Sequence, residues 1–129
     1  MRVMCVTNVN IKAARDLWLT NPTAATTTYG GAISGWDVSR VTDMSYLFYE
    51  VSEFDDNISS WDTGSVTTMA YMFYSATSFD QPIGSWDTGA TTTMESMFED
   101  AWRFNQPIGS WVTSEVLSMQ SMFEHAMNF

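Results

Sequence analysis

The sequence predicts an α/β solenoid, a right-handed leucine-rich-repeat-like coil of four 25-residue repeats, each a short strand followed by a short helix, with a capping helix at the N-terminal end. Three observations carry this expectation. Tryptophan recurs at one step, at Trp36, Trp61, Trp86 and Trp111. Four more ladders share that step: Ile33, Ile58, Ile83, Ile108; Met44, Met69, Met94, Met119; Phe48, Phe73, Phe98, Phe123; and Phe54, Phe79, Phe104, Phe129. Within a unit, apolar residues return about every third position, as a chain wound around a narrow core requires.

Taken in chain order, residues 1–28 read as the cap and its connection. Asn10 before Ile11, Ala14, Leu17 and Trp18 has the form of an N-cap and an amphipathic helix. Asn21 to Gly31, rich in Thr, Ala and Gly, reads as the link, and Tyr29 falls where a repeat places Phe. Terminal repeats need such a cover, because a bare end leaves apolar core facing water.

Residues 29–129 hold the four repeats. In the half Phe79-Asp-Gln-Pro-Ile-Gly-Ser-Trp86, Pro82 and Gly84 disfavour helix, while the aromatic and β-branched residues around Trp-Asp-Thr favour a strand. Ile33, Trp36 and Val38 have the spacing of a leucine-rich-repeat strand. Stacked coils would then form a narrow parallel sheet, with Trp36 to Trp111 spanning roughly 14 Å at about 4.8 Å per coil. In the other half, Val41, Met44, Leu47, Phe48 and Val51 share one face of a short helix. Phe129 fills the last rung where the next strand would begin. This reads as a truncated array, or as an open end that docks onto a second copy or a partner.

Composition narrows the function classes. The 129 residues bury one core, and 45% apolar content marks an ordered domain rather than a solvated tail. Fifteen Asp and Glu against five Lys and Arg, a net charge of −10, oppose nucleic acid and anionic membranes as partners. No apolar run is long enough to span a bilayer, which excludes membrane insertion, and no signal peptide is visible. Cys5 is the one cysteine and His125 the one histidine, so no disulfide framework, thiolate metal cluster or Ser-His-Asp arrangement can be assembled. The expectation is a non-enzyme with no cofactor.

The runs Phe79-Asp-Gln-Pro-Ile-Gly-Ser-Trp-Asp-Thr, Phe104-Asn-Gln-Pro-Ile-Gly-Ser-Trp111 and Trp36-Asp-Val-Ser-Arg-Val-Thr-Asp-Met44 resemble the BspA-like surface-protein repeat, the leucine-rich-repeat variant found in mycoplasma lipoproteins. The lead-in Ala-Ala-Arg-Asp-Leu-Trp18 and Ala-Thr-Thr-Thr-Tyr-Gly30 is similar to versions from algae and marine microbes. The resemblance implies a cell-surface or secreted protein used in adhesion or recognition, with no catalytic residues to carry over. Val112 departs from the pattern where Asp is usual, and Asp55-Asp-Asn-Ile58 lacks Gln-Pro.

Several polar rows are candidate sites. Asp37, Asp62 and Asp87 stand one coil apart and are weak candidates for a cation such as calcium; the bland alternative is an Asx turn into Ser39, Gly64 or Gly89. Asp55, Asp80 and Asn105 form a second row with an expected structural role at a turn. Met69, Met72, Met94, Met97, Met119 and Met122 would make a soft metal site, but thioethers also fill cores and share the face of the Phe ladder. Thr42, Thr67, Thr92 and Thr63, Thr88, Thr113 raise an ice-binding alternative, and Asn57-Ile58-Ser59 matches the N-glycosylation pattern. The leading expectation is a repeat module binding a protein or glycan; the alternative is a structural protein assembling head to tail through open ends.

Overall fold

A computed structural model describes residues 2–129. Two helices open the chain: α1 (Ile11–Thr20) and α2 (Pro22–Tyr29), followed by a single 3-10 turn at Ile33–Gly35. Asn10 does not cap α1 with its side chain. Its Oδ1 accepts the Thr7 N–H at 2.8 Å and its Nδ2 donates to the Cys5 carbonyl at 2.9 Å, which ties the leading segment down. Helix α2 replaces the expected link. Asn21 Oδ1 accepts the Ala24 N–H at 3.1 Å, Pro22 supplies a fixed φ at the first helical position, and Gly30 ends the helix in the left-handed conformation.

The strand-plus-helix repeat is overturned. Among the described residues there is no strand and no helix after Gly35, so the chain is not an α/β solenoid of strand–helix units. Each 25-residue coil is built of turns, and the one sheet-like feature is a column of isolated parallel bridges, Asp43 to Thr68 to Thr93 to Ser118.

The reasons lie in where the backbone N–H groups go. In the segment expected to be a strand, the Trp N–H groups bond three residues back, as in Trp61 to Ile58 and Trp86 to Ile83, which closes a turn instead of adding to a ladder. In the segment expected to be a helix, Tyr46 and Glu50 adopt positive φ (61° and 57°), as do Tyr71 and Ser75, Ser96 and Asp100, Ser121 and His125. A left-handed residue every fourth position breaks the helical path. Alternate N–H groups then point along the stack: Met44, Tyr46, Phe48 and Glu50 donate to the carbonyls of Thr68, Ala70, Met72 and Tyr74 at 2.7–3.0 Å. The same four bonds link the second coil to the third and the third to the fourth. Apolar spacing near three thus survives in a coil of turns, because a turn run and a helix turn the same residues inward.

Aromatic rungs fill the interior. Phe48, Phe73, Phe98 and Phe123 stack at 5.5–5.7 Å between centroids, and each lies 3.9–4.2 Å from its partner in the Phe54 to Phe129 row. Met44, Met69 and Met94 are fully buried, as are Ile33, Ile58 and Ile83, while Ile108, Phe123 and Met119 are progressively uncovered in the last coils. Three tryptophans span the junctions: the Nε1 groups of Trp61, Trp86 and Trp111 donate to the carbonyls of Ile33, Ile58 and Ile83 at 2.8–3.1 Å. Coils pack so closely that a Cβ on Gly84 would sit 2.3 Å from the Pro107 carbonyl oxygen.

The N-terminal segment covers the first coil with side chains rather than another coil. Asn8 Oδ1 accepts the N–H groups of Thr42 and Asp43 at 2.9 and 3.1 Å, the Arg15 guanidinium donates to the Leu47 carbonyl, and Trp18 Nε1 donates to Asp56 at 2.8 Å. At the opposite face, the N–H groups of Met119, Ser121, Phe123 and His125 have no backbone acceptor among the described residues.

Candidate functional site

Most polar rows noted in the sequence are spent on holding the coils. Asp37, Asp62 and Asp87 each accept the N–H two residues on through Oδ1, at 3.1, 3.1 and 2.9 Å. The Ser39 hydroxyl and N–H hold the Asp37 carboxyl below the ordinary carboxylate range. No group of three His, Cys, Asp or Glu side chains that could hold a metal ion occurs among the described residues. Asp55 and Asp80 clamp the next coil: Asp55 Oδ1 accepts the Asp80 N–H and the Gln81 amide, and Asp80 Oδ1 accepts the Asn105 N–H and the Gln106 amide, all at 2.9 Å.

Four of the six threonines in the two rows donate to the backbone of a neighbouring coil, while Thr113 is exposed. Thr63 and Thr88 are buried and donate to the carbonyls of Asp87 and Val112, while Thr67 and Thr92 donate to the carbonyls of Thr42 and Thr67. Asn57 is exposed, with its Oδ1 accepting the Ser59 N–H at 3.0 Å. His125 pairs with Asp100 at 3.0 Å, and Cys5 is exposed.

Sequence reading missed a surface array of four tyrosines. Tyr46 lies on Tyr71 and Tyr49 on Tyr74, both at 4.8 Å between ring centroids and within 12° of parallel; side by side, the two stacks are 5.4 and 5.9 Å apart. Turn geometry places them outward, since Tyr46 and Tyr71 occupy the left-handed positions just described. Tyr46 and Tyr49 are 45% and 36% exposed, although the core beneath is already filled by phenylalanine. The signal was present: Tyr46 and Tyr71, like Tyr49 and Tyr74, stand 25 residues apart, off the positions shared by all four repeats.

The array sits in an acidic setting. Tyr71 donates to Glu95 Oε1 at 3.2 Å. Partial desolvation and the Glu50 charge raise the Tyr49 phenol, and desolvation with Glu99 and Asp100 raises that of Tyr74. The Ser96 hydrogen bond pulls the Tyr71 phenol down, but Glu95 and desolvation together carry it upward. A second surface feature, an open depression of about 590 Å³ on the last coil, is lined by residues including Pro107, Ile108, Phe123 and Phe129.

Residues 19–129 match the family described as "Mycoplasma protein of unknown function, DUF285". The chain belongs to this family. The match takes in α2, all four coils and the tyrosine array. No curated protein and no solved structure matches the chain. The family description assigns no chemistry, so function has to be argued from the surface.

Proposed function

We propose that the chain is a non-catalytic binding module of a BspA-like surface or secreted protein, and that it presents the tyrosine array to a protein or glycan partner. The observation that carries this reading is the array itself. Four large rings stand at the surface, ordered by stacking and by a coil whose core does not need them. Tyrosine offers wide contact area with only two side-chain torsions to freeze, so a preformed array meets a partner at low entropic cost. Surface placement rests on the resemblance of the Phe79 to Thr88 and Phe104 to Trp111 runs to the BspA-like repeat, with which the family match is compatible.

The test is a paired screen of the wild-type chain and a Tyr46→Ser, Tyr71→Ser variant against peptide and glycan arrays. Ligands retained by the wild type and lost by the variant are expected; identical profiles for the two proteins would overturn the reading.

A second reading, head-to-tail association, is favoured by the free N–H groups of the last coil and by exposed Leu117, Met119 and Phe129 beside them. Light scattering over a hundredfold concentration range decides it, with a constant monomer mass removing this alternative.

A further inference from the structure

We infer that Asn57 is the acceptor of an N-linked glycan, joined in a secretory compartment while the chain is still unfolded and carried afterwards on the outer side of the second coil. This inference rests on the surface or secreted placement proposed above and is independent of the tyrosine array.

Register supplies the first argument. Of the six asparagines, Asn57 alone is followed two residues on by a hydroxyl with no proline between them; Asn21-Pro22-Thr23 has the hydroxyl but carries Pro in the middle. Asn57 falls on the column of Ala32, Pro82 and Pro107, and Ser59 on that of Ser34, Gly84 and Gly109. Only the second coil therefore brings amide and hydroxyl together. Ala32, Asn57, Pro82 and Pro107 are all exposed, so this column faces outward whatever residue fills it.

The bonds around the motif account for its neighbours and leave the amide nitrogen over. Asp56, in the column of Gln81 and Gln106, accepts the Trp18 indole N–H at 2.8 Å and so serves the cap. Asn57 uses its Oδ1 alone, which accepts the Ser59 N–H at 3.0 Å and closes an Asx turn. Asp37, Asp62 and Asp87 make the same turn with a carboxylate, so the turn itself does not call for an amide nitrogen. Charge beside Asp55 and Asp56 calls for a neutral residue, which Pro supplies in the later coils. Among the described residues neither Asn57 Nδ2 nor the Ser59 hydroxyl has a protein partner. Both groups of the acceptor motif are free.

Transfer forms a bond from Asn57 Nδ2 to the anomeric carbon of a sugar carried on polyprenyl diphosphate. The bond from that carbon to the diphosphate oxygen breaks, the diphosphate leaves with the electron pair, and one amide proton passes to the transferase. The enzyme has to take amide and hydroxyl into its own cleft together. In the folded coil Ile58 lies between them fully buried, and its carbonyl accepts both the Trp61 N–H and Trp86 Nε1 at 3.1 Å. Transfer therefore precedes the stacking of the second coil on the third. Once folded, the coil loses nothing to the glycan, because the amide nitrogen holds no bond in the stack.

The test sends the intact chain through the secretory pathway of a eukaryotic host behind a cleavable signal peptide, with gel mobility and peptide mass spectrometry read before and after peptide N-glycosidase. Most chains are expected to carry one glycan on the peptide holding Asn57 and none on that holding Asn21, and the glycosidase should remove the shift. Asn57→Gln and Ser59→Ala should each abolish it, while Ser59→Thr keeps it. Asn57→Pro installs the residue of the next two coils, and the Asn57 N–H it removes makes no backbone bond, so this variant should lose the glycan and keep the wild-type melting curve. Given transferase and lipid-linked donor, folded chain from bacteria should stay bare and denatured chain should be modified. A secreted wild type without glycan, or a shift that survives Asn57→Gln, would overturn the site; equal modification of folded and denatured chain would overturn the order of events. Because the signal peptide fixes the compartment, a bare product would leave the secreted placement untouched, and the array screen judges the binding-module reading on unglycosylated chain.

Discussion

The inner and outer columns of the coil obey one period and behave oppositely. Inside, Phe73 meets Phe48 below and Phe98 above at 5.6 and 5.5 Å, and every coil repeats the same residue type. Outside, the column through Tyr49 and Tyr74 turns into Glu99 and Glu124. A buried rung has to match its neighbours in volume and ring plane, because a misfit leaves a void or a clash at two junctions. An outward rung touches only one side of its neighbours and is free to differ. The difference teaches that the residues that repeat carry the geometry, and that those facing outward are released from it.

The contrast is broken most severely at the centre of the stack. Phe73→Ala removes a fully buried ring that packs against Phe48, Phe79, Phe98 and Trp86, and should cost about 3 to 5 kcal/mol in urea unfolding. Phe123→Ala, on the partly open last coil, should cost distinctly less. Equal losses at the two sites would mean that rungs do not depend on having neighbours on both sides.

A smaller effect tests the junction rather than the rung. Trp86→Phe keeps an aromatic but deletes the 3.1 Å bond from Nε1 to the Ile58 carbonyl. Because that carbonyl also accepts the Trp61 N–H, it is not orphaned, and the loss should be about 1 to 2 kcal/mol by the same unfolding assay. A wild-type midpoint would show that the indole N–H contributes nothing to coil stacking.

The mildest test reads the outer column alone. Of the five tyrosines, Tyr49, Tyr71 and Tyr74 should ionise above the ordinary value of 10.0 when phenolate absorbance is followed against pH. Their folded forms hold the proton more tightly than the unfolded chain does. The associated stability is therefore intact below pH 10.0 and is lost as the pH climbs through the folded values. Titration of all five as free tyrosine would remove the acidic field from the array.

These contrasts also explain what was legible in the sequence. The 25-residue step and α1 could be read because both depend on apolar spacing, which turns and helices share. The strand and helix within each repeat could not, because spacing does not record whether an N–H bonds three residues back or reaches the next coil. Nothing in Tyr46 or Glu50 announces a positive φ, a conformation that usually selects glycine. Helix α2 was signposted by Asn21, Pro22 and Gly30, yet its threonines, weak helix formers, read as a link; two of them, Thr27 and Thr28, settle their hydroxyls on the carbonyls of Thr23 and Ala24. The tyrosine array escaped because a search for what all repeats share passes over what only two possess.

The four bonds at each junction also give the molecule a mechanical grain. They run along the stack, donor in one coil to acceptor in the next, and Thr67, Thr92 and Leu117 return one bond each to the coil before. A pull on the two ends would load the junctions in series, and a coil that lets go takes its whole turn of chain with it. Such a stack would lengthen in steps, each paying out 25 residues, or about 80 to 90 Å of extended chain. A tether made of these coils would yield under strain by whole turns while the coils still stacked kept their faces in register.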